Sequence, residues 1–281
     1  MENDPLQLCA VEKWSELEDI FRSDLPRSIS GFTVLQTQKY MLQCGVDYGF
    51  KVYCPFGDGK NGIVAVNIKK TFYEVIVQCA SNDTSKLEMA LKTTNIIDWE
   101  RELEIPFTPK HVMDCVKRVI HEKKLVIHHI SVTTTYMLDK NSPPFNVNLP
   151  PEFSFDLLTL EHVQLLDSTW PHQYPDSDFY FELLIKAKLG YGLFREKKLV
   201  SWVLIKEMGA LLHLFTLQEE RRKGYGELVL KLISDVLLKN GNYVVAFCIM
   251  NNVNAAKLYE KLNFLATDDV EWCTIMGKRC D

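Results

Sequence analysis

The hexapeptide Arg221-Arg222-Lys223-Gly224-Tyr225-Gly226 constrains this chain more than any other stretch. It follows an apolar, strand-like run from Leu211 to Leu217, and precedes a segment in which Leu228, Leu232, Val236 and Leu237 recur at helical spacing. Two glycines let the backbone approach a bulky anion with no Cβ in the way. The first amides of a helix have no partner inside it and lie at its positive end. A strand–turn–helix of this kind suits a pyrophosphate, and Arg221, Arg222 and Lys223 add charge that can face phosphates. The same residues also serve as a solvated basic turn at a helix start. The hexapeptide alone leaves both readings open.

The flanking sequence extends the pattern. A helix over 225–239 ends at Asn240-Gly241, residues that tolerate a left-handed backbone. Tyr243 to Ile249 is an apolar strand of the kind found inside a sheet. Gly192 to Arg195 and Leu199 to Ile205 read as strands around the turn Glu196-Lys197-Lys198, Asn254 to Leu262 as a short helix, and Val270 to Ile275 as a final strand. Phe155 to Trp170 and Asp178 to Leu189 are expected to be helices.

The spacing of the hexapeptide resembles the Arg/Gln-x-x-Gly-x-Gly/Ala signature of the GCN5-related N-acetyltransferase superfamily. A second segment, Asn252, Ala255, Leu258, Tyr259, Leu262 and Phe264, is similar to that superfamily's Asn-x-x-Ala-x-x-Leu-Tyr-x-x-x-Gly-Phe, with Asn263 in place of the usual glycine. Val200-Ser201-Trp202, Gly209, Thr216-Leu217, Glu219, Arg221 and Gly224 resemble the glycine N-acyltransferase-like family. Asn95 to Ile105, with Trp99, extends that likeness into the first half. The resemblance implies a mixed α/β (α+β) fold with a mostly antiparallel sheet flanked by helices. It also implies a degenerate domain of the same type in the first half.

The clearest break in the chain is Asn141-Ser142-Pro143-Pro144, followed by Leu149-Pro150-Pro151. Four prolines there cannot continue a helix or a central strand, and make a stiff extended connection. We expect an N-terminal domain over 1–140, a linker over 141–151, and a catalytic domain over 152–281, in keeping with a length of 281 residues. In the first half, Trp14, Leu17, Ile20 and Phe21 mark a helix ended by Pro26. Lys51 to Cys54 reads as a strand, and 62–68 with 72–79 as a hairpin bending at Lys69-Lys70. Ser81 to Leu91 and Pro109 to His121 read as helices, and Leu125 to Met137 as a strand.

Composition narrows the chemistry. A net charge of −5 argues against a broad nucleic-acid surface. No apolar run reaches the ~18 residues that would cross a bilayer, so no membrane association is expected. The eight cysteines form no Cys-x-x-Cys pair and the histidines are scattered, so no metal is expected. The start carries no legible targeting segment. The expected location is cytoplasmic, with a mitochondrial alternative by family resemblance.

The resemblance implies coenzyme A or acyl-CoA as cosubstrate, held by Arg221, Arg222, Lys223, Gly224, Tyr225 and Gly226, by the strand backbone at Leu214, Phe215, Thr216 and Leu217, and by Asn252 and Ala255. Acyl transfer from a thioester to an amine requires that both be positioned, that the amine lose a proton, and that the departing sulfur be stabilised. Tyr259 falls where the superfamily often places a phenol near the sulfur; it can equally pack a short helix. Neither usual base is present, because Ala210 and Phe247 occupy those positions. His213 is the best substitute by residue type, although strand parity places it opposite Ala210 unless a bulge intervenes. Glu207 is a weaker candidate. Cys248, on an apolar strand, reads as core, so an acyl-enzyme is disfavoured.

On the acceptor side, Trp170 matches a tryptophan of the family. The loop after it, Pro171 to Asp178, is acidic and contains no arginine. An amino-acid carboxylate thus lacks an evident partner there. The expected activity is transfer of an acyl group to the amine of a small molecule or amino acid through a ternary complex. The alternative is an acyl-CoA-binding sensor or scaffold with little turnover. The sequence is silent on oligomeric state.

Overall fold

The computed structural model describes residues 4–276. The chain divides into two compact units. The first holds residues up to Lys39, Asp47–Thr134 and the chain from Thr267 on; the second holds Tyr40–Val46 and Thr135–Ala266.

The first unit begins with β1 (Leu6–Leu8), α1 (Trp14–Arg22) and α2 (Ile29–Gln43), whose last residues belong to the second unit. Then follow β2 (Lys51–Pro55), β3 (Ile63–Lys69), β4 (Phe72–Gln78), α3 (Ser85–Thr93), β5 (Leu103–Pro109), α4 (Lys110–Glu122) and the start of β6 (Val126–Leu138). Alternating apolar residues on β3 and β4 pair through seven register positions from Ile63↔Gln78 to Lys69↔Phe72. β4 and β5 are parallel, in register at Glu74↔Glu104. α3 and α4 cover one face with Leu87, Leu91, Val112, Met113, Val116 and Val119, and Ile105 lies among them. Each buried aliphatic side chain contributes about 1.5–3 kcal/mol.

The second unit continues with β7 (Phe153–Leu157), α5 (Val163–Ser168), α6 (Asp178–Lys186), β8 (Gly190–Arg195), β9 (Lys198–Ile205), β10 (Ala210–Thr216), α7 (Tyr225–Lys239), β11 (Val244–Ile249) and α8 (Val253–Lys261); it ends where β12 (Leu265–Met276) begins. Its strands lie in the order β11-β10-β9-β8-β7, all antiparallel neighbours except the parallel pair β10–β11. In the first unit the order is β1-β2-β3-β4-β5-β12 and then the start of β6, with β12 antiparallel to β5.

Several expectations need correction. The helix expected from Phe155 to Trp170 is a strand over Phe153–Leu157 followed by the short α5. Phe153, Phe155 and Leu157 alternate, and the strand bonds to β8 from Phe153↔Arg195 to Leu157↔Tyr191. Three elements carry no expectation from sequence: β1, α2 and β5. α2 buries Ile29, Phe32, Val34, Leu35 and Met41, which surround the helix and leave no stripe to read. β5 contains Pro106 and ends at Pro109, which hide it as a strand. The proline-rich connection over 141–151 has no regular structure, yet Asp235 of α7 pins it: its Oδ1 accepts from the Phe145 amide at 2.6 Å and its Oδ2 from the Asn146 amide at 2.9 Å.

A candidate acyl-CoA site at a splayed parallel seam

β10 and β11 are in register at Ala210↔Val245 and Leu211↔Ala246. Beyond Leu211 no further pair is registered among the described residues, although β10 runs on to Thr216 and β11 to Ile249. The edge of β10 facing β11 is thus unpaired over most of its length.

A bulge sits where the strands part. β10 advances from Leu212 to Phe215 while β9 advances only from Leu204 to Trp202, so one extra residue is accommodated in β10. His213 takes a left-handed backbone there, φ 51°. This bulge resolves the parity problem posed by the sequence. Register places Leu212 and Phe215 on one face, the face of Trp202 and Leu204. Alternation adds Ala210 to it. The His213 ring joins them, with centroids 5.8 Å from Trp202, 5.6 Å from Phe215 and 5.9 Å from Phe181.

Both imidazole nitrogens of His213 are buried without a hydrogen bond of ordinary geometry, as is Nε1 of the fully buried Trp202. Burial lowers the His213 pKa to about 4; the backbone at Thr169 opposes the shift and His172 reinforces it. His213 is therefore neutral at pH 7. Ala210 and Phe247 offer no base. Glu207 is buried and accepts the Tyr180 hydroxyl at 2.5 Å.

At the far end of β10 the chain makes a 3-10 turn at Gln218–Glu220 and enters the basic loop. Arg222 and Gly224 both have left-handed backbones, φ 63° and 83°. Nothing lies within 4 Å of a Cβ built on Gly224. No side chain caps the first turn of α7, so its amides remain available. The three cations differ. Arg221 lies over the Phe215 ring at 5.2 Å and donates from Nε to the Thr216 carbonyl. Lys223 pairs with Glu220 at 2.8 Å, and Glu220 also accepts from Arg195 at 2.8 Å. Arg222 is exposed and makes no ion pair among the described residues. Tyr225 packs edge-on against Phe153, 5.5 Å between centroids.

Asn252 caps α8, its side chain accepting from the Ala255 amide at 3.1 Å. The spacing of that motif is thus a helix-capping requirement. Tyr259 on α8 is buried, with its ring tilted against Tyr136 at 5.1 Å and Phe264 at 5.3 Å between centroids. Burial, with Cys248 and Tyr136 nearby, holds its phenol well above the usual range. Burial also raises the Cys248 thiol, which donates to backbone carbonyls at Ile249 and Asn252. Trp170 packs with Phe181 at 5.3 Å and with Tyr180 at 5.8 Å. Sequence reasoning missed Phe181, which read as an ordinary core residue, and took Trp202 only as part of the family pattern without placing it beside His213.

Residues 190–273 match the family model for FR47-like protein. No curated protein matches the chain in sequence. Among solved structures, a Drosophila malonogaster protein aligns over 98% of this chain and 99% of its own, with 17% identity and a TM-score of 0.84. A GCN5-related N-acetyltransferase from Sphaerobacter thermophilus aligns over 96% of this chain and 94% of its own, with 11% identity and a TM-score of 0.54. This is the GCN5-related N-acetyltransferase fold. It occurs here in tandem, as in a tandem GNAT protein from the clavulanic acid biosynthesis pathway, which aligns over 98% of this chain and 99% of its own, with 12% identity and a TM-score of 0.57.

The first unit of this tandem GNAT-type chain handles its own parallel crossover differently. The turn after β4, residues 79–84, contains no Lys or Arg. Its carbonyl at Ala80 and the Asn82 side chain accept from Arg27, and Asp83 caps the first turn of α3 through the Ser85 amide. An acidic residue at that helix start opposes phosphate binding. The basic loop and the uncapped helix start occur together in the second unit.

Proposed function

We propose that the second unit transfers an acyl group from a coenzyme A thioester to a primary amine in one direct step. The observation that carries this reading is the seam that opens beyond Leu211↔Ala246 beside the uncapped start of α7. An open strand edge can pair with the amides of a pantetheine arm, and free helix amides suit a pyrophosphate. The residues present fit such a ligand: Gly224 leaves open space, and Arg222 is exposed for a phosphate. The backbone of Leu214, Phe215, Thr216 and Leu217 lines the arm's path.

When bound, the thioester would supply an electrophilic acyl carbon and a thiolate leaving group: the C–N bond forms, the C–S bond breaks with its electron pair going to sulfur, and the nitrogen gives up one proton to solvent water, which in turn restores the proton that Tyr259 donates. Tyr259, kept protonated by burial, serves as the donor toward the departing sulfur. His213, neutral above about pH 4, holds the amine through a hydrogen bond rather than acting as a strong base. The amine therefore arrives unprotonated. Raised by burial, the Cys248 thiol supports direct transfer over an acyl-enzyme. The glycine N-acyltransferase-like pattern around Trp202 and Arg221 supports the reaction type. It does not support glycine itself as acceptor, because the loop after Trp170 lacks a cation for a carboxylate.

The test is a thermal shift of the purified chain with acetyl-CoA, longer acyl-CoAs and free CoA, paired with thiol release on adding amines. A ligand at 100 times its Kd stabilises the fold by about 2.7 kcal/mol. Stabilisation that Gly224→Glu abolishes is the expected result; no shift with any thioester overturns the reading. A second reading, acyl-CoA binding without turnover, is favoured by the absence of a carboxylate at Ala210. It predicts the same shift with no thiol release.

A further inference from the structure

The face of β10 that carries Ala210 and His213 is lined by rings. Phe181 lies 5.9 Å from His213, Trp202 5.8 Å and Phe215 5.6 Å, and Trp170 extends the wall from Phe181 at 5.3 Å. α7 packs against the opposite face of β10, the face of Thr216 and Gly226. An amine approaching the bulge therefore comes from the ring side.

Three buried polar atoms in this wall have no hydrogen bond of ordinary geometry: Nε1 of Trp202 and both ring nitrogens of His213, which has only the backbone at Thr169 nearby. Buried polar groups are almost always satisfied, and a group of orphans beside an open seam points to a partner that arrives with a ligand. Cationic partners are absent or paired. Residues 163–185, which carry α5, the following loop and α6, contain no Lys or Arg. Lys206 reaches this side but is buried 3.6 Å from the Glu207 carboxylate. Asp167 accepts from Ser177 at 2.5 Å and Gln173 at 3.1 Å, and Glu207 accepts from Tyr180. A carboxylate on the acceptor finds no unpaired cation here, and the Asp167 and Glu207 carboxylates are already engaged. Rings, by contrast, offer faces and edges to another ring.

We propose that the acceptor is a primary amine carried on an uncharged aromatic body, an arylalkylamine, whose ring packs on the half-buried Trp170, backed by the buried Phe181, and whose nitrogen is held at His213. This rests on the acyltransfer reading above and names its substrate class.

The experiment uses the full chain with acetyl-CoA and four amines, 2-phenylethylamine, n-butylamine, putrescine and glycine, with thiol release as readout. Acetyl-CoA binding is measured separately by thermal shift. The expected kcat/KM for 2-phenylethylamine exceeds that for each of the others by at least about 10-fold, the scale of one good ring contact. Trp170→Leu then raises KM for 2-phenylethylamine about 10-fold more than for n-butylamine, and Trp170→Phe recovers most of the difference. If Trp170→Leu fails to fold, the wild-type amine ranking and the Trp170→Phe variant still decide. Equal or better use of glycine, putrescine or n-butylamine overturns the proposal. So does acetyl-CoA binding with no turnover of any amine, which leaves the binding site itself standing. No acetyl-CoA binding overturns both this proposal and the reading beneath it.

Discussion

The guanidinium of Arg221 lies 5.2 Å above the ring of Phe215 and donates from Nε to the Thr216 carbonyl at 3.2 Å. Arg221 thus fastens the loop to the strand it follows, while Lys223 is tied to Glu220. Arg222 is left as the cation facing outward. We expect Arg222→Ala to raise the acetyl-CoA Kd about 5- to 10-fold, with an effect that shrinks as salt rises. Lys223→Ala should cost less. Isothermal titration at two salt concentrations measures both.

The left-handed backbone at Gly224 sets a second expectation. A Cβ there meets open space, so the cost of alanine is conformational rather than steric. Gly224→Ala should lower stability by about 1 kcal/mol. Chemical denaturation reads that loss. Gly224→Glu adds a negative charge to the loop and should abolish the acetyl-CoA thermal shift.

The caps of the second unit are testable alone. Asn252→Ala removes the acceptor for the Ala255 amide and should cost about 1 kcal/mol. Asp235→Ala frees the connection at Phe145 and Asn146, and should cost about 1.5–3 kcal/mol. Faster proteolysis within residues 141–151 would accompany the second change.

Glu104 gives the first unit a pH dependence of definite sign. Burial pushes its carboxyl from 4.5 up to about 7; bonds from Trp272 and Thr274 oppose the shift, and Glu74 and Glu102 reinforce it. Between those values the folded state holds a proton that the unfolded chain has released. The stabilisation is full below about pH 4.5 and is lost as pH rises through about 7. Melting temperatures from pH 5 to 8 should show this slope flattened in Glu104→Gln.

Tyr259 and His213 divide by pH and by rate constant. Tyr259→Phe should lower kcat about 10- to 100-fold with little change in the KM for acetyl-CoA. His213 should contribute no ionisation to the rate between pH 6 and 9, since its acid limb lies at about 4. A pH–rate profile of His213→Gln beside the wild type decides.

How much of this was readable from the chain varies by element. The loop at 221–226 and the helix after it were legible because two glycines and three cations between apolar runs leave few alternatives. The bulge was not, since His213 is not glycine and nothing in Leu211 to Leu217 marks one residue as extra. It appears only when the register with β9 is known. α2 was hidden because its buried residues surround it, and β7 because Phe153, Phe155 and Leu157 alternate inside a run that also admits helical spacing. The loop after Trp170 showed only that a carboxylate lacks a cationic partner there. That Asp167, before the loop on α5, accepts from the loop's Ser177 and Gln173 needs the loop's path to be seen.

β12 pairs with β5 from Val270↔Pro109 to Ile275↔Leu103. The strand that completes the first unit is therefore translated after the whole of the second. While the ribosome is still adding α7 and α8, β5 has yet to meet this partner. The first-encoded half must wait, edge exposed, for its closing piece.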